Sequence, residues 1–406
     1  MVAAMDQDHT EVFRRRVFYI PGYDPIHPRR YRELYRREGA AQAGISGYTL
    51  HLEPKKVQGP YGWRVTSVQE ATAVADIEVL VWSDIVRGSM DPGIPGTYLQ
   101  LFRTAWAYIG SGALFRLMQL RKGPMIAALY PIGMLLAQLG LAVWVVWGLA
   151  AVGSWLGFWG GVFGLAAGIA AGVWLLRWFK RKDAKVYAYY LMHDYAYSAQ
   201  SGGENSPELE ARMFDFRKAI TDALTEQFEE VLVVGHSSGA HLAVSILADL
   251  IRQGVPSNAP ALGFLSLGQV VPMVSFLPKA GRLRADLAYL SVRDELAWVD
   301  VTAPGDGCAF ALCDPVSVTG VAPADKKWPL VISAAFTQTL SPERWKALRW
   351  KFFRLHFQYL CAFDRPRDYD YFRITAGPLT LRERYKRRAP SKSRIETPVN
   401  RHRGLS

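Results

Sequence analysis

The stretch that decides the fold is VLVVGHSSGAHLAVSILADLI, residues 231–251. Val231, Leu232, Val233 and Val234 form an unbroken aliphatic run, the pattern of a strand buried on both faces of a parallel sheet. Gly235-His236-Ser237-Ser238-Gly239 follows directly, and an apolar helix begins at once. Alone, a Gly-x-Ser-x-Gly string is common. Between a buried strand and a helix it describes a sharp turn that lifts the Ser237 hydroxyl clear of the sheet, and only small residues at Gly235 and Gly239 tolerate the crowding. The free amides at the start of that helix, Ser238 foremost, point at the space where an oxyanion would form.

Strands and helices alternate on either side. Residues 16–24 read as a short strand ending in a Pro-Gly turn, residues 28–43 as a charged helix and residues 47–54 as a second strand. Residues 63–68 and 77–82 make two more. Ser206-Pro207 is a helix N-cap with proline at the first helical position. Behind it, Met213, Phe216, Ile220, Leu224 and Phe228 recur every three to four residues. Further strands are expected at 261–267, 297–302 and 329–335, the last followed by a helical stretch at 341–360. The class is α/β, a mostly parallel sheet with helices on both faces.

The elbow and this order of elements resemble the α/β-hydrolase family, serine esterases and lipases in particular, over most of residues 12–365. The resemblance implies the chain order Ser…acid…His. Downstream of Ser237 stand only His241, His356 and His402. His241 lies on the elbow helix and His402 in a basic tail, so His356, after the last strand, is the expected general base. Asp294, Asp300, Asp306 and Asp314 are the candidate acids. Asp306, in a Pro-Gly turn at the carboxyl end of the 297–302 strand, is preferred, with Asp300 and Asp294 as alternatives. A second oxyanion donor would come from the backbone after the first strand, at Gly22 or Tyr23; the family often has His-Gly there, and this chain has Pro-Gly.

A second signal interrupts the α/β pattern. Residues 123–176 contain no Asp, Glu, Lys or Arg, more than twice the roughly 20 residues that one membrane-crossing helix needs. The expected architecture is therefore the hydrolase-like sheet plus an inserted transmembrane hairpin, with spans near 125–149 and 153–176 joined around 150–152. Trp144, Trp147, Trp155, Trp159 and Trp174 sit toward the span ends, and the second span is rich in glycine. Basic residues precede and follow the hairpin while its turn is uncharged, which places both termini and the hydrolase body on the cytoplasmic side of an inner, cytoplasmic-type membrane. The N-terminal MVAAMDQDHTE is acidic and reads as no signal peptide. Residues 98–120 fit equally a helix in the headgroup plane or an ordinary core helix. The expected division is 1–97 and 186–381 for the two parts of the hydrolase domain, 98–185 for the membrane insert and 382–406 for a disordered tail.

Composition then falls into place. The chain has 406 residues, 48 Lys+Arg against 36 Asp+Glu, and a formal charge of +12. The last 25 residues hold nine basic and two acidic groups, +7 of that total, suited to anionic headgroups. No aromatic interleaving or binding motif points to nucleic acid. Cys308, Cys313 and Cys361 are too few for a disulfide framework and lack metal-ligand spacing, so they read as packing residues in a reducing compartment. No cofactor or metal is implied. Tyr187, Tyr189, Tyr190, Tyr195 and Tyr197, with His193 and Asp194, read as a membrane-proximal belt. The function expected is a membrane-anchored serine hydrolase cleaving an ester or thioester, with a lipid or long-chain acyl ester as the natural substrate. An acyltransferase using the same triad and a non-catalytic membrane scaffold are the alternatives; no charge inside the spans marks a transport pathway. The sequence leaves the oligomeric state open.

Overall fold

A computed structural model describes residues 13–55, 59–90 and 92–406. The N-terminal segment expected to be no signal peptide lies outside the described residues. Eight strands form one sheet: β1 (Phe13–Ile20), β2 (Thr49–Pro54), β3 (Gly62–Val68), β4 (Thr72–Val79), β5 (Glu230–His236), β6 (Ala261–Leu267), β7 (Leu296–Thr302) and β8 (Leu330–Ser333). Their spatial order is β2-β3-β4-β1-β5-β6-β7-β8. The pairs β2/β3 and β3/β4 are antiparallel, and every other pair is parallel.

Alternation along the central strands feeds two cores. Phe18, Ile20, Val231, Val233, Phe264 and Trp298 face one side, against the elbow helix (Ser238–Gln253) and the helix Pro207–Ala223. Val17, Tyr19, Leu232, Val234, Leu265 and Val301 face the other, against the helix Arg29–Ser46 and Tyr359, Phe363 and Phe372. Burial on both faces is why these strands read as continuous apolar runs.

The two apolar helices are Lys122–Ser154 and Phe158–Arg181, both long and apolar enough to span a membrane. The first runs past the expected joint, because residues 150–152 contain no helix breaker, and the turn falls at 155–157, where Gly157 adopts φ 84°. They pack antiparallel through glycine: a Cβ on Gly168 would lie 2.9 Å from the Val146 backbone, and one on Gly172 3.2 Å from the Val146 side chain. Their outer surfaces are not core, since Trp147 is 68 % and Trp155 84 % exposed.

The segment expected at 98–120 forms the helix Gly93–Gly110 and a short one, Ala113–Leu117. Thr97, Leu101, Thr104 and Tyr108 are buried, while Phe102, Trp106 and Ile109 make an exposed apolar stripe on the other side.

The expectation of a disordered tail is corrected. Residues 382–406 are laid along the body. Ile395 N–H donates to Leu312 O (2.7 Å), Asn400 Nδ2 to Ser275 O (3.1 Å), and the buried Arg284 guanidinium to Gly404 O (2.6 Å). Arg382, Arg384 and Arg394 bond to backbone carbonyls, and Arg388 pairs with Asp368. Arg382 reaches the Leu296 carbonyl at the start of β7, while most of the basic side chains of the tail stay at the surface.

Candidate active site

Three loops converge at the carboxyl ends of β1, β5 and β7. Register puts Ile20, the last residue of β1, beside Gly235 of β5, so the turn after β1 lies against the elbow. A Cβ on Gly22 would sit 2.8 Å from Ser237 Cβ, one on Gly239 would overlap the Ile20 carbonyl, and one on Gly235 would come 2.8 Å from Ala240 Cα. The glycines are there for room. Ser237 itself is at φ 55°, ψ −121°, a conformation a non-glycine residue holds at a cost of order 1–3 kcal/mol. Its N–H is tied to Leu267 O at 2.9 Å. The first-turn amide of Ser238 has no intrahelical partner, and among the described residues the amides of Gly22 and Tyr23 also lack an acceptor.

His356 ends a five-residue helix, Phe352–His356. The stretch 341–360, expected as one helix, is broken at Lys351 (φ −102°, ψ 68°), and this break turns the imidazole toward the sheet. His356 Nδ1 lies 2.7 Å from Asp306 Oδ2, with both side chains buried. Its Nε2 is buried without a partner among the described residues. Ser237 and His356 line one small cavity of about 70 Å³ together with Gly22, Tyr23 and Ser238.

Asp306 is held from three directions. Oδ2 also accepts the Tyr359 hydroxyl (3.0 Å), and Oδ1 accepts Cys308 N–H (2.9 Å). Burial pushes its carboxyl up, but the attraction of His356 and these hydrogen bonds together hold it below the ordinary value, so it stays ionised. The alternative acids are elsewhere. Asp300 is buried within β7, accepts the Ser266 hydroxyl at 2.6 Å, and is pushed by burial up to about 8. Asp294 is exposed and paired with Lys327 at 2.6 Å. Asp314 caps the helix Pro315–Thr319. His241 is buried on the elbow helix, and His402 packs with the tail through Ser111 O at 3.3 Å.

Three contributors escaped sequence reasoning. His236, inside the motif, sits 3.1 Å from the His356 carbonyl through Nε2, and its ring lies 4.8 Å from the His356 ring. A carbonyl only accepts, so Nε2 bears the proton. Burial, with the nearby His356 charge, drives His236 down to about 3, and it remains neutral. Tyr359 bridges Asp306 and the Ala303 amide (3.0 Å). The helix Ala188–Ala199, read as a membrane belt, roofs the cavity with Tyr190, Tyr195 and Asp194. Tyr190 donates to Tyr23 O at 2.5 Å, steadying the loop after β1. Burial raises Asp194 to about 7 despite the opposing pull of His356.

Asp306, Cys308 and His356 bring three ligand-type atoms within 4.8 Å of one another. The facing atoms of the carboxylate and imidazole are taken up by each other, His356 Nδ1 lying 2.7 Å from Asp306 Oδ2.

Comparison with known proteins finds no matching family model, no curated relative and no solved structure.

Proposed function

We propose that this chain is a membrane-anchored serine hydrolase of the α/β-hydrolase type, cleaving a carboxylic ester or thioester through an acyl-enzyme on Ser237. The observation that carries the reading is the buried Asp306–His356 pair, with His356 Nε2 unpartnered in the cavity that also holds Ser237. In this mechanism Ser237 Oγ attacks the carbonyl carbon while His356 Nε2 takes its proton. Asp306 accepts the Nδ1–H, fixing the tautomer and stabilising the imidazolium. The tetrahedral oxyanion is met by the amides of Ser238 and of Gly22 or Tyr23. Collapse breaks the bond to the leaving oxygen or sulfur, which receives the proton from His356, and water then releases the acid by the same steps. In this reading the apolar helix pair crosses an inner, cytoplasmic-type membrane, with both termini and the catalytic body on the cytoplasmic side.

Incubation of the full chain in detergent with a slowly deacylating activated ester, followed by peptide mass spectrometry, tests this reading. An acyl adduct on Ser237 that is absent from Ser237→Ala is expected. An unmodified Ser237 in a folded protein would contradict it.

A further inference from the structure

We infer that the substrate is an amphiphile drawn from the lipid bilayer, its acyl chain lying in the groove between the root of the first apolar helix and the Trp350–Phe352 segment. This rests on the hydrolase reading above and adds the substrate class and the route.

The cavity at Ser237 is small. At roughly 10–15 Å³ of such volume per water, its 70 Å³ holds about five water molecules. It can take an ester linkage and its first carbons, and the remainder of any larger substrate must lie outside. At Pro124 the cavity adjoins an open groove of about 370 Å³. Pro124 is the third residue of the first apolar helix. The groove floor is the acid loop: a Cβ on Gly307 would lie 3.3 Å from Phe352, and one on Gly123 3.2 Å from Gly307. Its walls are Trp345, Trp350 and Phe352, with Arg121 and Arg349 at the edge.

The rim is apolar where water would disfavour it. Trp350 is 73 % exposed and Phe352 and Tyr187 about half as much or more, an arrangement that marks an interaction surface. Tyr187 lies just beyond the second apolar helix, and its ring is 4.6 Å from that of Phe353, which in turn stands 5.5 Å from Tyr190 over the cavity. Both roots of the hairpin therefore border the mouth. With the hairpin in a bilayer, this rim lies at the level of headgroups and first methylenes, where tryptophan and tyrosine are favoured and arginine meets phosphate. An acyl chain then passes from lipid into the groove without crossing water.

The test uses the full chain in phosphatidylcholine vesicles with matched p-nitrophenyl esters of acetate and palmitate, alongside fluorophosphonate labelling of Ser237. The wild type should prefer palmitate by about tenfold or more in kcat/KM, and Trp350→Ser/Phe352→Ser should shrink that preference by about fivefold, as loss of buried aromatic contact implies. Equal turnover of the two esters by wild type, or an unchanged preference in the double variant, overturns the proposal with Ser237 labelling intact. Absent labelling removes the hydrolase reading itself and this proposal with it.

Discussion

Asp306 Oδ2 and His356 Nδ1 stand 2.7 Å apart in a buried pair, and that oxygen also accepts the Tyr359 hydroxyl. The imidazole is held in the tautomer that leaves Nε2 free to accept a proton. Asp306→Asn should hold the wrong tautomer and lower ester turnover by about 10⁴-fold with the fold intact. Asp300→Asn, whose partner is Ser266, should leave turnover within a few-fold; the reverse ranking would reassign the acid.

Tyr359 has a smaller, separable part. Tyr359→Phe removes a hydrogen bond to Asp306 and orphans the buried Ala303 amide. A stability loss of about 1–3 kcal/mol follows from the orphaned donor, read by chemical denaturation in detergent. Turnover should fall while the pH profile moves, because the carboxylate then lacks one of its three supports; an unshifted profile would make Tyr359 purely structural.

Gly22 tests the oxyanion loop. A Cβ there would meet Ser237 Cβ at 2.8 Å, so Gly22→Ala must push the loop from the nucleophile. Turnover should drop by about 100- to 1000-fold, the usual cost of one oxyanion donor, with the denaturation midpoint little changed. Wild-type rates in Gly22→Ala would place the donor elsewhere.

Two carboxyls, Asp300 buried within β7 and Asp194 half-buried beside the cavity, set a pH dependence of stability. Burial raises Asp300 to about 8 and Asp194 to about 7, against about 3.9 in an unfolded chain. The folded state thus binds these protons more tightly, and its stability is greatest below the unfolded value and falls as pH climbs from about 4 to about 8. Asp300→Asn should flatten this decline across the upper part of that window, measured by denaturation at pH 5 and pH 8. Parallel pH dependences for wild type and variant would show that Asp300 titrates normally.

What the sequence made legible was local. The elbow announces itself because strand, small-residue turn and helix are contiguous, and His356 followed from the scarcity of histidines after Ser237. Asp306 was reached through its turn, while Asp300 and Asp294 stayed open because only packing separates a buried β7 carboxyl from one that faces a cavity. The sheet order, with β1 between β4 and β5, depends on pairings as far as 215 residues apart, such as Arg15 with Glu230, which no local pattern encodes. The roof was misread for a related reason: Tyr190 and Asp194 carry no signal of the loop they cover. The tail misled because its charge suggested solvent, whereas its backbone and Asn400 are hydrogen-bonded along the body. His236 was visible all along inside the motif, but its task, holding the His356 carbonyl, appears only in three dimensions.

The central claim is that Ser237 is an activated nucleophile, and a serine-directed fluorophosphonate probe measures this most directly. The native chain in membranes or detergent should label on Ser237. Ser237→Ala should not label, and His356→Ala should label at least about 100-fold more slowly, as loss of a general base requires. A folded native protein that takes no label at Ser237, or a His356→Ala variant that labels at the native rate, would contradict the account.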